Sequence, residues 1–184
     1  MVSRQSAPTH PFELLARLER LARAHRAESA DREKKRDEWR GVGFRLGGQR
    51  FVAPLGEVVE ILTPPRVARV PHTKSWVSGV ANVRGNLLPI MDLNAYLGKG
   101  PINLNRLSRV LVIEREAGFT GLLVDEVLGM CHFLYPEQWR VLVDPGMEQV
   151  APYLDGVLHR DGSDWLIFRL TRLTQHPKFL KVAA

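Results

Sequence analysis

The chain has 184 residues, 45% of them hydrophobic and 25% charged, the proportions of one soluble globular unit or two small ones, and at this length a core needs no staple. Cys131 is the single cysteine, which excludes an internal disulfide and fits a reducing compartment. The formal charge of +6 would suit nucleic acid, but ten Lys/Arg stand against seven Asp/Glu before residue 41 and sixteen against thirteen after it, so the excess is spread out and no nucleic-acid footprint is expected.

The N-terminal stretch carries Leu14, Leu15, Leu18, Leu21 and Ala22 at helical spacing, then the mixed-sign run DREKKRDEWR. This predicts an amphipathic helix and charged linker over residues 1–40, whose apolar stripe suits the body of the protein, a partner or a second copy. No leader pattern precedes Pro11 and no apolar run approaches a membrane span, so a cytoplasmic protein without direct membrane insertion is expected. After Gly41 the pattern turns to short β-rich segments. VGFRLGGQRFVAPL reads as a hairpin turning at Gly47-Gly48. Further strands are predicted over 67–70, 77–83, 87–91, 109–114, 121–127, 156–160 and 165–168. Many short strands with few helices imply barrels or a sandwich. A helical turn over 92–97 would be capped by Asp92, and a C-terminal helix starting at Thr171 would be interrupted by Pro177. FRLGGQRFVAPLGEVVEIL and VIEREAGFTGLLVDEVLGM echo one another when Phe51 is set on Phe119, which would place Glu57 on Asp125 and Val59 on Val127, as in two related halves.

Catalytic chemistry finds no foothold. The six histidines are scattered, no second cysteine stands at a ligating interval, and the nucleophile elbow and phosphate loop are missing. Asp125 and Glu126, if on one strand, point to opposite faces and form no acid/base pair. The same holds for Cys131 and His132, so Cys131 reads as a quiet, half-buried thiol. Phe44, Phe51, Trp76 and Phe119 fall in apolar strand contexts that suit a core better than base stacking. A binding module with no cofactor or metal is the expectation.

In WVSGVANVRGNLLPIMDL the strands on either side of RGN are apolar on both faces. Pro89 suggests an edge or bulge in the second, and Gly85 supplies a conformation other residues resist. Arg84 is thereby held at its backbone and free at its guanidinium. An internal salt bridge and a partner contact both suit it.

The same segment closely resembles the signature of CheW-like domains: a strand ending in Asn-apolar-Arg-Gly, an apolar strand with proline, and a closing Asp-Leu. Asn82, Val83, Arg84, Gly85, Pro89, Asp92 and Leu93 occupy those positions. FVAPLGEVVEILTPPRVARVPHTKSWVSG and GLLVDEVLGM fit the blocks before and after it, so the resemblance spans about residues 42–170. The N-terminal helix, WRGVGFRLGGQRFVAPLGEV and the C-terminal LTQHPKFLKVAA resemble the branch of the family that serves type IV pili and twitching motility, with the flagellar coupling protein the nearest rival. NVRG in place of the commoner Asn-Leu-Arg-Gly and the long charged extension depart from the general pattern.

The resemblance implies a mainly β fold of two small SH3-like five-stranded β-barrels side by side over 41–172, with a helical tail over 173–184. It also implies a non-enzymatic adaptor that binds the cytoplasmic tip of a methyl-accepting chemoreceptor and the regulatory domain of a CheA-like histidine kinase, recruited to receptor arrays at the inner membrane. Carried over from the family, Arg84 and Glu60 would face the receptor, with Val58, Gly79, Asn82 and Gly85 nearby. Asp125 and Val127 would serve either the groove or the fold.

Overall fold

A computed structural model describes residues 37–116, 118–135, 139–140 and 148–184. The expected amphipathic helix and most of the linker lie outside these residues. Among the described residues are eleven strands: β1 (Asp37–Leu46), β2 (Gln49–Pro54), β3 (Glu60–Leu62), β4 (Val77–Val83), β5 (Asn86–Asp92), β6 (Arg109–Arg115), β7 (Gly118–Val124), β8 (Glu126–Tyr135), β9 (Trp139–Arg140), β10 (Leu154–Arg160) and β11 (Ser163–Phe168). One sheet runs β3-β6-β7-β5-β4 and the other β8-β1-β2-β11-β10-β9. The second exceeds the expected five strands because the two-residue β9 adds to β10.

The two sheets are built alike. Each centres on a hairpin, β6–β7 or β1–β2, whose second strand pairs in parallel with the last strand of another hairpin, β5 or β11. Both outer hairpins carry a register shift at a matching place, Val77/Gly79 and Leu154/Gly156. Setting Gly79 on Gly156 equates Ile90 with Ile167, Gly121 with Val52, and Thr120 with Phe51. The internal echo therefore reflects real architecture, but the alignment of Phe51 with Phe119 is one residue out. In a strand that slip exchanges the faces. Phe51 and Thr120 are buried, whereas Phe119, expected in the core, is 50% exposed.

Both sheets curl until their opposite ends meet. Arg84, in the turn between β4 and β5, reaches Glu60 on β3 at the other edge, and Arg160 on β10 donates to the His132 carbonyl on β8. The enclosed core is aromatic: Phe44 stacks on its cross-strand partner Phe51 at 5.5 Å, and Phe168 packs edge-on against both. A smaller cluster of Val52, Cys131, Phe133, Leu158 and Ile167 fills the other face of the second sheet, with Trp39 and Trp165 against it.

The expected strand over 67–70 reduces to a single bridge, Ala68 to Val80. That bridge also explains Pro89. Val80 spends both backbone groups on Ala68, so its pairing with Pro89 carries no ladder bonds and asks proline for no donor. On the far side the ladder with β7 begins only at Ile90, so proline is tolerated inside the sheet rather than at its edge. The strand expected over 121–127 breaks at Asp125 and resumes as β8.

Asp92 caps the helix Leu93–Tyr96, accepting from the Ala95 N–H at 2.9 Å. Its second oxygen takes the Ile102 N–H at 2.8 Å. The C-terminal helix Leu170–Gln175 stops before Pro177, which opens another turn, Pro177–Leu180. That turn plants Phe179 on Trp76, ring centroids 5.6 Å apart, beside Tyr96. The cap and the buried charge-assisted bond at Asp92 together amount to roughly 3 kcal/mol. Asp92→Ala should lower the urea-unfolding free energy by about that much, with Asp92→Asn recovering part. A loss below about 1 kcal/mol would show that neither bond holds the loop.

Candidate functional site

Arg84 and Gly85 form the two-residue turn between β4 and β5, and both have positive φ, 53° and 87°. This is the hairpin turn that matches strand twist, and it ordinarily takes Asn, Asp or Gly at its first position. The equivalent turn between β10 and β11 has Asp161 and Gly162. An arginine there costs roughly 1–2 kcal/mol of backbone strain, so its side chain, not its backbone preference, accounts for its presence. Asn82 holds the turn from below, its Oδ1 accepting the Gly85 N–H at 2.9 Å. A Cβ at Gly85 would meet open space, so its requirement is conformational.

The Arg84 guanidinium straddles the Glu60 carboxylate, Nη2 to Oε1 at 2.6 Å and Nη1 to Oε2 at 3.4 Å. The arginine side chain remains 74% exposed, which limits the pair to at most about 1 kcal/mol of stability. Such a pair orients both charges at little cost to their availability. Exposed apolar side chains also occur on these strands: Leu87, 76% exposed, opposite Asn82, and Val59 and Ile61, which flank Glu60 and so point to the other face of β3. Sequence reasoning did not single these out as site residues. Their signal was the alternation in VVEIL, where Val58 and Leu62 pack on the core and Val59 and Ile61 face outward.

The remaining expected site residues lie elsewhere. Gly79 is buried, at φ 136°, where a Cβ would fall 2.2 Å from the Ala68 carbonyl oxygen. Its task is to let residues 67–68 cross β4. Val127 packs against the core. Asp125 accepts the Gly47 N–H at 2.7 Å, and the neighbouring Glu126 pairs with Arg45 at 3.3 Å. These two acids brace the same hairpin, because the chain bends at Asp125 and the strict alternation expected of a strand does not hold there.

Beside Val59 opens a cleft of about 730 Å³ that also draws on Glu114 in β6, Glu116 in the β6–β7 turn, and Thr171 and Leu180 near the C-terminus. Glu57 closes its floor, accepting from the Thr171 backbone at 3.1 Å and pairing with Arg169 at 2.8 Å. Among the described residues no group of three or more His, Cys, Asp or Glu side chains could hold a metal. Cys131 is fully buried rather than half-buried, and burial pushes its thiol pKa up.

The exposed, bidentate Glu60–Arg84 pair stands at the rim of a doubled β-barrel fold. Residues 40–178 match the CheW-like domain family, and the chain belongs to that family, whose members are scaffold adaptors of chemotaxis-type signalling. It is 45% identical to protein PilI of Pseudomonas aeruginosa over 176 residues, 94% of this chain and 96% of that one. Protein FrzA of Myxococcus xanthus is 31% identical over 121 residues, 65% of this chain and 74% of that one. Among solved structures the scaffolding protein TtCheW from Thermoanaerobacter tengcongensis superposes with a TM-score of 0.62 at 22% identity, covering 71% of this chain and 88% of that one. That likeness carries the fold.

Gly79→Ala should cost more than about 3 kcal/mol in chemical denaturation, since it adds overpacking to backbone strain, whereas Gly85→Ala should cost only about 1–2 kcal/mol. Equal losses would refute the close approach at Ala68. With its pKa raised, Cys131 holds less thiolate at pH 8 than a free thiol, so Ellman's reagent should label it only upon unfolding. Rapid labelling of the native protein would contradict its burial.

Proposed function

We propose that this protein is a non-enzymatic adaptor that couples a membrane chemoreceptor to a CheA-like histidine kinase, in a system controlling type IV pili and twitching motility. The observation that carries the reading is the Glu60–Arg84 pair: two solvent-facing charges fixed in bidentate register at the junction of opposite sheet edges, with the exposed Leu87 on the same hairpin as Arg84. A receptor tip is a helical hairpin with an apolar stripe. Its stripe would lie against the exposed Leu87, while the charges set its register. Val58, Asn82 and Gly85 support that surface from beneath. The regulatory domain of the kinase would bind separately, so that the adaptor bridges the two. The pilus assignment rests on the extent of the likeness to PilI, which runs through nearly the whole of both chains.

Because the pair is exposed, Arg84→Glu should move the melting temperature by no more than about 4 °C. The same change should weaken binding of a receptor-tip fragment at least about tenfold, or about 1.4 kcal/mol. The doubly exchanged Glu60→Arg/Arg84→Glu protein restores the internal pair with its signs reversed and should still bind poorly. Full recovery in the double variant would make the pair purely structural. Calorimetry against the regulatory domain of the pilus-linked kinase at two salt concentrations tests the second arm, with micromolar or tighter association expected.

A further inference from the structure

Between the helix Leu93–Tyr96 and β6 the chain forms a loop that is built rigidly and yet presents leucine to water. Its entry is fixed by the buried Ile102, whose N–H is held by Asp92 at 2.8 Å, and by Asn94, whose Nδ2 donates to the Gly100 carbonyl at 3.0 Å. At its exit Asn105 and the buried Ser108 bond each other, the Asn105 N–H donating to Ser108 Oγ at 3.0 Å and the Ser108 N–H to the Asn105 carbonyl at 3.2 Å. Asn105 Oδ1 also takes the Leu107 N–H at 2.7 Å. Arg109 clamps the base, its Nη1 donating to the carbonyls of Arg106 and Ser108, each at 2.8 Å. From this frame Leu104 and Leu107 stand out, 64% and 56% exposed. Two leucines fixed outward on a braced loop form a preorganised contact, since little further ordering is needed when they are covered.

The charge around them has one sign. Between Asp92 and Glu114 the sequence carries Lys99, Arg106 and Arg109 and no carboxylate. Arg109 is committed to the loop's own carbonyls, and Lys99 lies against the Gly47 turn that Asp125 caps. Arg106 makes no ion pair with another described residue. One freely offered cation with two fixed leucines is too little charge for stable attachment to an anionic lipid surface, where each basic residue adds only about fivefold in partitioning. It suits one acidic, amphipathic helix, with Leu104 and Leu107 against its apolar stripe and Arg106 against its carboxylates.

We infer that the loop spanning residues 100–108 is a second protein-docking surface, separate from the Glu60–Arg84 site, and that it takes an acidic amphipathic helix of a partner protein. The test uses the full chain and a fluorescein-labelled helical peptide with leucine on one face and glutamate on the other. The Leu/Lys version of the peptide and phosphatidylglycerol vesicles serve as competing probes. Fluorescence anisotropy should give saturable binding of the Leu/Glu peptide, weakened at least about tenfold in both Leu104→Ser/Leu107→Ser and Arg106→Glu. Both changes are on exposed side chains, so the melting temperature should hold. Arg84→Glu should leave this binding intact, which separates the surface from the proposed receptor site. Equal affinity in the wild-type and Leu104→Ser/Leu107→Ser proteins would overturn the inference. So would preference for the Leu/Lys peptide, co-sedimentation with vesicles in place of peptide binding, or loss of binding in Arg84→Glu.

Discussion

Everything in this protein depends on the crossing of the chain from one sheet to the other and back. The first sheet is drawn from a continuous run of chain, β3 through β7, but the second is assembled from both ends of the body, β1 and β2 with β8 through β11. The parallel ladder that joins Phe51 and Val52 to Leu166 and Ile167 is the seam. Without it the Phe44–Phe51 stack loses Phe168, and the second sheet is reduced to fragments. This crossing also sets the site: β3 follows the first hairpin directly, yet pairs with β6, and that placement brings Glu60 across from Arg84.

The first sheet's edge illustrates how function is placed on such a frame. The strained Arg84 conformation, the Asn82 brace and the Gly85 turn have no packing role that an ordinary Asn-Gly turn would not fill. They fix the root of one long side chain, and Glu60 fixes its tip. Specificity then costs the fold little: about 1–2 kcal/mol of backbone strain, partly offset by an exposed pair worth at most about 1 kcal/mol. Gly79, only a few residues earlier in the same strand, illustrates the opposite case, where a residue of the signature block serves the backbone crossing beneath the surface.

What the sequence disclosed follows from these forces. Largely apolar runs mark β4 and β5 in the sequence, and β4 falls on its expected boundaries, although only Gly79 and Ala81, on one of its faces, are buried. Asp92 was legible as a cap because that role is local; its second bond, to Ile102, was not, because it depends on where a loop returns. β3 is three residues long and too short for any period to show. Register was harder still. Gly118 and Phe119 look like the start of a core strand, and only the pairings through Ile113 and Gly121 reveal that Thr120 takes the inward position. Of the expected site residues, the structure brings the Asn82–Arg84–Gly85 turn and Glu60 together, while Asp125 was hidden by a bend that no local pattern marks.

The divided second sheet has a consequence for how the chain is made. On a ribosome, residues 37–54 emerge before the rest of the barrels and can close as a hairpin, but both of its edges await partners more than seventy residues downstream, β8 on one side and β11 on the other. At about 5–20 residues per second that is several seconds or more of exposure. Meanwhile β3 through β7 arrive together and can complete the first sheet. The nascent protein therefore passes through a stage with one finished barrel and one waiting hairpin whose unpaired edges and phenylalanines are open to foreign strands. Chaperone engagement during synthesis would be concentrated at this hairpin, away from the Glu60–Arg84 pair.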